Sequence, residues 1–534
     1  MRLSLAIPTF FCISFFSAAI VAQEMLLPLG KRFQQQYYLT SDGDGLTGNG
    51  VFPATEGQFG KVYANQVDTS HRAKKWLKRK LFDEHFAEIS GKDYFFSFDP
   101  LVNLHVGKTD NSDSTTLFQN TRAFQVQGEV MGKIAFYSSF FENQARFADF
   151  QTAYFEDRGE QRYSESKGYY DTINATIPGG GRTKPFKEGA FDYASAIAYV
   201  RYRPADFLAI QLGNHPHFVG WGHRSFLLSD NSFNFTNLKM DWQLGDKWSF
   251  TTMHGKQLNL FRRIRRLGDT TFVTTVEEPY EKKNFSAKYL SYKPIPQLSI
   301  GFFEAQVYFR EDSIQSKWMH PMYFNPLPLV NTGVFGWENK DAKSLLGLNF
   351  AWNFWKTKVL YGQFVTDELG SVPQWGGQIG LKANEPFGVK GLFIQGEINT
   401  ATSQLYAANN RRLAYTHFNL PLAHSLGNGF SELVAHVHYA FNRIYLDFQT
   451  VYYEAERPVH NMQALFNTRG EYEKERTTVL LLETELGYCF NPRTNLSAFV
   501  KGVFRSERIA AAESTTNLFF VGLKTNVFNR YFDF

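Results

Sequence analysis

Cysteine is nearly absent from this chain: 534 residues carry two, Cys12 and Cys489. Cys12 falls within an apolar leader, so the mature chain keeps one thiol. That excludes an intramolecular disulfide and any multi-cysteine metal site. Charge of one sign is also lacking. The 56 basic and 51 acidic residues leave a net charge of +5, without the concentrated basic face of a nucleic-acid binder. Long apolar runs stop with the leader. No later run approaches the ~20 residues of a spanning helix, and a mean hydropathy of −0.33 argues against a helical membrane protein. The usual signatures of catalysis are missing too: there is no Gly-x-Ser-x-Gly elbow, no phosphate-binding loop and no His-Glu-x-x-His. Carboxylate pairs such as Asp367-Glu368 read as solvated loop charge. The chain is therefore expected not to be an enzyme and to need no cofactor or metal.

Aromatic residues are abundant instead, at 17% of the chain, with 54 phenylalanines. Many aromatics at low hydropathy fit a transmembrane β-barrel, in which only alternate strand residues face lipid. From about Tyr94 onward the sequence alternates with period two. Leu346, Leu348, Phe350, Trp352 and Phe354 fall on one face, opposite Gly347, Asn349, Ala351 and Asn353. Leu433, Ala435, Val437, Tyr439 and Phe441 repeat the pattern opposite His436 and His438, which read as lumen histidines bonded to neighbours. Short turns such as Asn442-Arg443 alternate with long polar stretches: Glu156 to Gly189, Asn399 to Asn428 and Glu454 to Arg476. This is the asymmetry of outer-membrane barrels, and counting segments gives about 16–18 strands in a large, antiparallel, all-β transmembrane barrel.

Residues 1–22 read as a secretory signal: Arg2, an apolar run from Leu3 to Val21, then Ala22-Gln23 as the cleavage point. Residues 23–93 are expected to form an N-terminal periplasmic region with one amphipathic helix, and residues 94–534 the barrel. The helix is expected over Ser70 to Ser90, capped by Thr69 or Ser70 and ended by Gly91. Trp76, Leu77, Leu81, Phe82, Phe86 and Ile89 give it an apolar stripe, expected to pack on the barrel end. Lys74, Lys75, Lys78, Arg79 and Lys80 make its first half basic. At the other end, Phe519, Val521, Leu523 and Val527 alternate, and terminal Phe534 resembles the aromatic end that the barrel-assembly machinery reads. The expected partners are therefore outer-membrane lipid and that machinery, and no nucleic acid. The expected location is the bacterial outer membrane.

The densest chemistry lies between Gln211 and Ser232. Gly213, Gly220 and Gly222 permit sharp bends, and Pro216 interrupts regular structure. His215, His217, Trp221, His223 and Arg224 crowd the same segment. Such a bent, polar, aromatic segment between two strands suits a fold inside a pore or a binding loop. His215 and His217 would share a face on a strand, but Pro216 between them and the lack of a third ligand argue against a metal. Tyr169, Tyr170 and Tyr193 join Trp221, His223 and Arg224 as residues that can meet a sugar chain, by stacking or by pairing with an acidic group.

Gly213, Val219-Gly220-Trp221-Gly222 and Ser225-Phe226-Leu227-Leu228-Ser229-Asp230-Asn231 together resemble the signature of the Wzi family of outer-membrane capsule-assembly proteins. The Ile177-Pro178-Gly179-Gly180-Gly181-Arg182 and Lys184-Pro185-Phe186 loop is similar to the Bacteroidetes members called RemB, linked to gliding motility. These motifs cover roughly a tenth of the chain. The family's usual Trp-Gly-Pro is Trp221-Gly222-His223 here. The resemblance implies a lectin-like barrel that binds or retains surface polysaccharide, with Trp221, His223, Arg224, His217 and Asn231 as the binding residues. A porin or passive uptake channel, or an outer-membrane hydrolase, are the alternative functions for the same composition.

Overall fold

The computed structural model describes residues 24–31, 46, 48–59, 75–110, 116–164, 166–262, 265–267, 271–273, 280–309, 321–369, 372–458, 469–470, 473–525 and 528–534. The expected signal peptide, the Thr69/Ser70 cap and Val527 lie outside these. Eighteen antiparallel strands form one closed barrel. The first five are β1 (Tyr94–Thr109), β2 (Thr116–Val130), β3 (Ile134–Arg146), β4 (Ala190–Ala205) and β5 (Leu208–Gly213). Next come β6 (Asn237–Leu244), β7 (Trp248–Arg262), β8 (Tyr280–Ile295), β9 (Leu298–Tyr308), β10 (Ala342–Trp355) and β11 (Lys358–Glu368). The last seven are β12 (Gln374–Asn384), β13 (Leu392–Ala401), β14 (Phe430–Phe441), β15 (Ile444–Pro458), β16 (Lys474–Asn491), β17 (Leu496–Ile509) and β18 (Ala512–Thr525). Each strand pairs with the next, and β18 returns to β1 through Asn103↔Lys524 to Thr109↔Leu518. Closure leaves no open edge, so the wall's backbone groups are satisfied within the sheet.

The alternation read from sequence is the inside–outside division of this wall. On β10, Leu348 and Trp352 are 51% and 47% exposed, while Asn349 and Ala351 are buried at 2% and 0%. Asp447 binds His438 at 2.7 Å and lies 3.4 Å from His436, as expected of lumen histidines. The tight turns 131–133, 296–297 and 442–443 lie at the end where β1 begins, and of the two-residue turns only 510–511, among the described residues, lies at the other end. The long connections 147–189, 214–236, 309–341 and 402–429 lie at the other end. By barrel convention the short-turn end is periplasmic.

Three expectations need correcting. The helix expected from Ser70 to Ser90 is shorter: among the described residues α1 spans Trp76–Phe82, and Ala87–Ser90 is a strand paired with Phe95–Phe98 of β1. Of the stripe residues on α1 only Phe82 packs on the barrel end, against Phe490, while Trp76, Leu77 and Leu81 stay exposed. The polar stretch from Glu454 to Arg476 is partly strand, because β15 and β16 stay paired to Pro458↔Lys474. Asp367, expected as solvated charge, is fully buried and ion-paired to Lys343 at 2.7 Å. A second helix, α2 (Asp149–Asp157), sits in the connection from β3 to β4 and buries Tyr154 and Phe155.

Among the described residues several segments enter the lumen, including Val51–Phe52, which pairs with Phe218–Val219. Residues 24–31 come in from the periplasmic end: Glu24 and Met25 give their amides to Glu129, Leu26 bonds the Tyr199 hydroxyl, and Lys31 reaches Gln449. The connections 214–236 and 402–429 fold in from the opposite end. The C-terminal tail, 528–534, climbs from the end of β18. Phe528 meets Phe141, Phe532 meets Phe147, and Phe534 stacks on Tyr154 with centroids 3.6 Å apart. Phe534 is 2% exposed, and so ends inside the lumen and not on the outer face of the last strand.

Candidate functional site

The segment after β5 is pinned to the wall through its own backbone. Gln363 of β11 accepts the Phe226 amide at 2.7 Å and donates to the Val219 carbonyl at 2.9 Å. Gln378 of β12 donates to the Arg224 carbonyl at 3.0 Å. Glu397 of β13 accepts the amides of His223 and Arg224 at 2.8 and 3.0 Å. Side chains from three successive strands thus hold the Val219–Phe226 backbone. Such a close approach explains two glycines. Gly220 has φ 139°, and a Cβ there would collide with Gln363. A Cβ at Gly222 would lie 2.7 Å from Gln378 and 2.8 Å from Glu397.

Arg224 is the centre of a buried ion cluster. Its Nη2 meets Glu432 of β14 at 2.8 Å and its Nη1 meets Asp533 of the tail at 3.1 Å. Glu432 also accepts His424 Nε2 at 2.7 Å and Asn399 Nδ2 at 2.9 Å. Burial opposes the charge on Arg224, but Asp533 and Glu432 outweigh it and hold the guanidinium pKa above its usual value. Burial likewise works against the Asp533 carboxylate, and Arg224 more than offsets it, so its pKa falls well below the usual range. The cluster ties together the segment after β5, the wall, the 402–429 connection and the C-terminal tail.

The remaining expected residues sit in the same packed region. Trp221 is 2% exposed, edge-on to Phe52 at 5.7 Å, with Lys382 Nζ 5.5 Å from its ring and bonded to its carbonyl. Asn231 reaches the Pro421 carbonyl at 3.3 Å. Asp230 beside it accepts Tyr531 and Asn529 of the tail. His217 bonds Asn237 at 3.1 Å, and burial lowers its pKa. Burial also lowers His223 to about 3, with Lys31 adding to the effect, so its ring is neutral at physiological pH. His215 and His217 have ring centroids 6.3 Å apart. Among the described residues no group of three His, Cys, Asp or Glu is placed to hold a metal.

Sequence reasoning missed the partners. Glu397 and Glu432 lie on the inner parity of β13 and β14, the parity that also carries His436 and His438. A carboxylate at an inward position was their only local signal. Nothing local marked Asp533. Beside these segments lies a cavity of about 270 Å³ with charges of both signs, including Lys501 paired to Glu483 and Lys524 paired to Glu485.

A second, half-buried cluster lies at the long-loop end. The hairpin of Glu160–Ser164 and Tyr169–Asn174 places Tyr163 opposite Tyr170. Their rings lie 5.5 Å apart, and Tyr170 packs on Phe261 at 5.2 Å. Arg411 from the 402–429 connection lies over Tyr170 at 5.3 Å and is held by Glu281 at 2.6 Å. Tyr169 is 57% exposed, with Lys167 Nζ 5.6 Å from its ring. Of the tyrosines singled out in the sequence, Tyr170 joins this cluster, Tyr169 beside it on the strand points to the opposite face, and Tyr193 is buried against Gly180.

No protein-family model and no curated protein matches the chain. Among solved structures it is similar to Wzi of Escherichia coli, an outer-membrane protein involved in group 1 capsule assembly and described as a carbohydrate-binding β-barrel. That likeness has 11% identity and a TM-score of 0.54, over 93% of this chain and 98% of that one. It is also similar to OprD of Pseudomonas aeruginosa, at 10% identity and TM-score 0.41, over 80% of this chain and 94% of that one. OccAB4 of Acinetobacter baumannii gives 11% and 0.39, over 80% and 97%. The fold is that of an outer-membrane β-barrel, and the outer membrane is where the chain resides.

Proposed function

We propose that this barrel is a non-enzymatic carbohydrate-binding protein that holds polysaccharide at the cell surface. The observation that carries this is the half-buried tyrosine–arginine cluster of Tyr163, Tyr170 and Arg411, with exposed Tyr169 beside it, at the long-loop end of a lumen occupied by folded chain. Tyrosine rings stack on the apolar faces of sugars, and the guanidinium pairs with acidic substituents. The likeness in fold to the carbohydrate-binding Wzi barrel agrees with it. In this reading Trp221, His217, His223, Arg224 and Asn231 act from beneath. They fix the inward-folded segments on which the outer surface rests, because the Trp221 ring already has protein neighbours. In its finer form, taken from the Ile177–Arg182 loop, the polymer served is one used in gliding.

Binding of the parent cell's own surface polysaccharide to purified barrel tests this. Tyr169→Ala with Tyr170→Ala removes two stacking faces worth about 0.5–1.5 kcal/mol each, so affinity falls about tenfold while the heat-modifiable gel shift is retained. Undiminished binding by that double variant sinks the assigned surface. No binding by the parent protein sinks the function. Cells lacking the protein should make and export the polymer but shed it into the medium.

A further inference from the structure

α1 is held to the barrel by one side only. Arg443 of the β14–β15 turn donates to the Phe82 carbonyl at 3.2 Å and pairs with Asp83 at 2.9 Å. Asn491 donates to the carbonyls of Lys80 and Glu84 at 3.2 and 2.9 Å. Phe82 packs on Phe490 at 5.9 Å, and just beyond, His85 is locked to buried Asp99 at 2.7 Å. These are polar clamps from the short-turn rim onto the helix backbone and its C-terminal end. They fix the helix beside the periplasmic edge of the wall.

The other side is apolar and open. Trp76, Leu77 and Leu81 are 57%, 59% and 46% exposed. This face continues directly into the barrel's outer belt through a row of rings. Trp76 meets Phe86 at 6.5 Å, Phe86 meets Phe98 at 6.2 Å, Phe98 meets Phe124 at 6.2 Å, and Phe124 meets Phe140 at 6.4 Å. Phe98, Phe124 and Phe140 stand on the lipid-facing parity of β1, β2 and β3. The exposed face of α1 is therefore the lower margin of that same surface. Lys75 and Lys78 are exposed beside it. Lys80 and Arg79 are engaged with Glu84, but among the described residues no carboxylate pairs with Lys75 or Lys78.

We infer that α1 is an interfacial anchor that binds anionic phospholipid of the periplasmic leaflet. Trp76, Leu77 and Leu81 lie against the acyl chains at the level where tryptophan prefers to sit. Lys75 and Lys78 extend to the phosphate groups, as long cationic side chains do at an interface. Two criteria select lipid over a second protein: the apolar face joins the lipid-facing belt without a break, and its free charge is of the sign that anionic headgroups attract.

Fluorescence quenching tests this on the full-length protein refolded into vesicles of phosphatidylethanolamine with a minority of phosphatidylglycerol, either lipid being chain-brominated. The Trp76 contribution is the difference between the parent and Trp76→Phe. Brominated lipid should quench it, with brominated phosphatidylglycerol about threefold more effective per molecule than brominated phosphatidylethanolamine. Lys75→Gln with Lys78→Gln should abolish that excess and leave the quenching itself. Equal quenching by the two lipids in the parent overturns the anionic site. Quenching by aqueous acrylamide and not by brominated chains overturns the anchor. A nitroxide on Leu77→Cys tests the anchor without touching Trp76: oxygen should relax it faster than a water-soluble nickel chelate, and the reverse order contradicts lipid contact.

Discussion

The two faces of one strand obey different rules. On the outer face of β10, Leu348 and Trp352 are half exposed, and any apolar side chain of suitable size serves such a lipid-facing position. On the inner face, Asn349 bonds the Tyr289 hydroxyl at 2.8 Å, directly beneath the segment that carries Trp221. The outside is governed by average hydrophobicity and the inside by individual hydrogen bonds. A substitution outside is therefore judged by its polarity, and one inside by which partner it orphans.

The largest expected effect lies inside. Arg224→Met leaves Glu432 and Asp533 facing each other without their cation, which costs about 3–5 kcal/mol for a broken buried pair. Urea titration of the gel-shifted form should show it. Trp221→Ala opens a void between Phe52 and Lys382, in the range of about 3–5 kcal/mol found for large-to-small changes. Outside, Leu348→Arg puts a charge against lipid at about 2–4 kcal/mol near the midplane. The alternation alone makes Asn349→Arg nearly harmless, because it faces inward. The packing predicts otherwise: overfilling that site costs about 1–3 kcal/mol. Equal stability of the parent and Asn349→Arg would show that the lumen there is loose.

How much was legible in the sequence follows from the same contrast. Outer-face alternation is local, so Leu346 to Phe354 revealed the wall, its inside and its outside. The bends and cation of the lumen segment were visible in Gly220, Trp221, Gly222 and Arg224. Their partners were not. Glu397 lies 173 residues from Arg224, Glu432 lies 208 away and Asp533 lies 309 away. No short window contains such pairs. The stretch from Phe86 to Ile89 misled for a related reason. Its apolar spacing fits a helix, but Ala87–Ser90 gains a ladder with Phe95–Phe98 only once β1 exists.

The smallest expected effect is a pH dependence confined to the lumen. His223 is neutral in the fold, with its pKa lowered to about 3. Between about pH 6.5 and that value the unfolded chain binds the extra proton, so stability rises with pH. The contribution is complete above about pH 6.5 and is lost as the pH falls toward the folded value, about 1–2 kcal/mol by about pH 5. Burial raises the pKa of Asp230, which opposes this trend. Burial lowers His215, His217 and His417 in the same way, so His223→Asn should lessen the slope between about pH 7 and pH 5 by one histidine's share, and an unchanged slope would assign the dependence to the others.

The central claim is that folded chain occupies this barrel, with the Arg224–Asp533 pair joining the C-terminal tail to the segment after β5. Conductance in a planar bilayer tests it most directly. The account predicts that the full-length protein gives no large, steady channels, and that removing residues 528–534 raises both the frequency and the size of openings. Large, steady conductance from the intact protein, unchanged by loss of the tail, would contradict it.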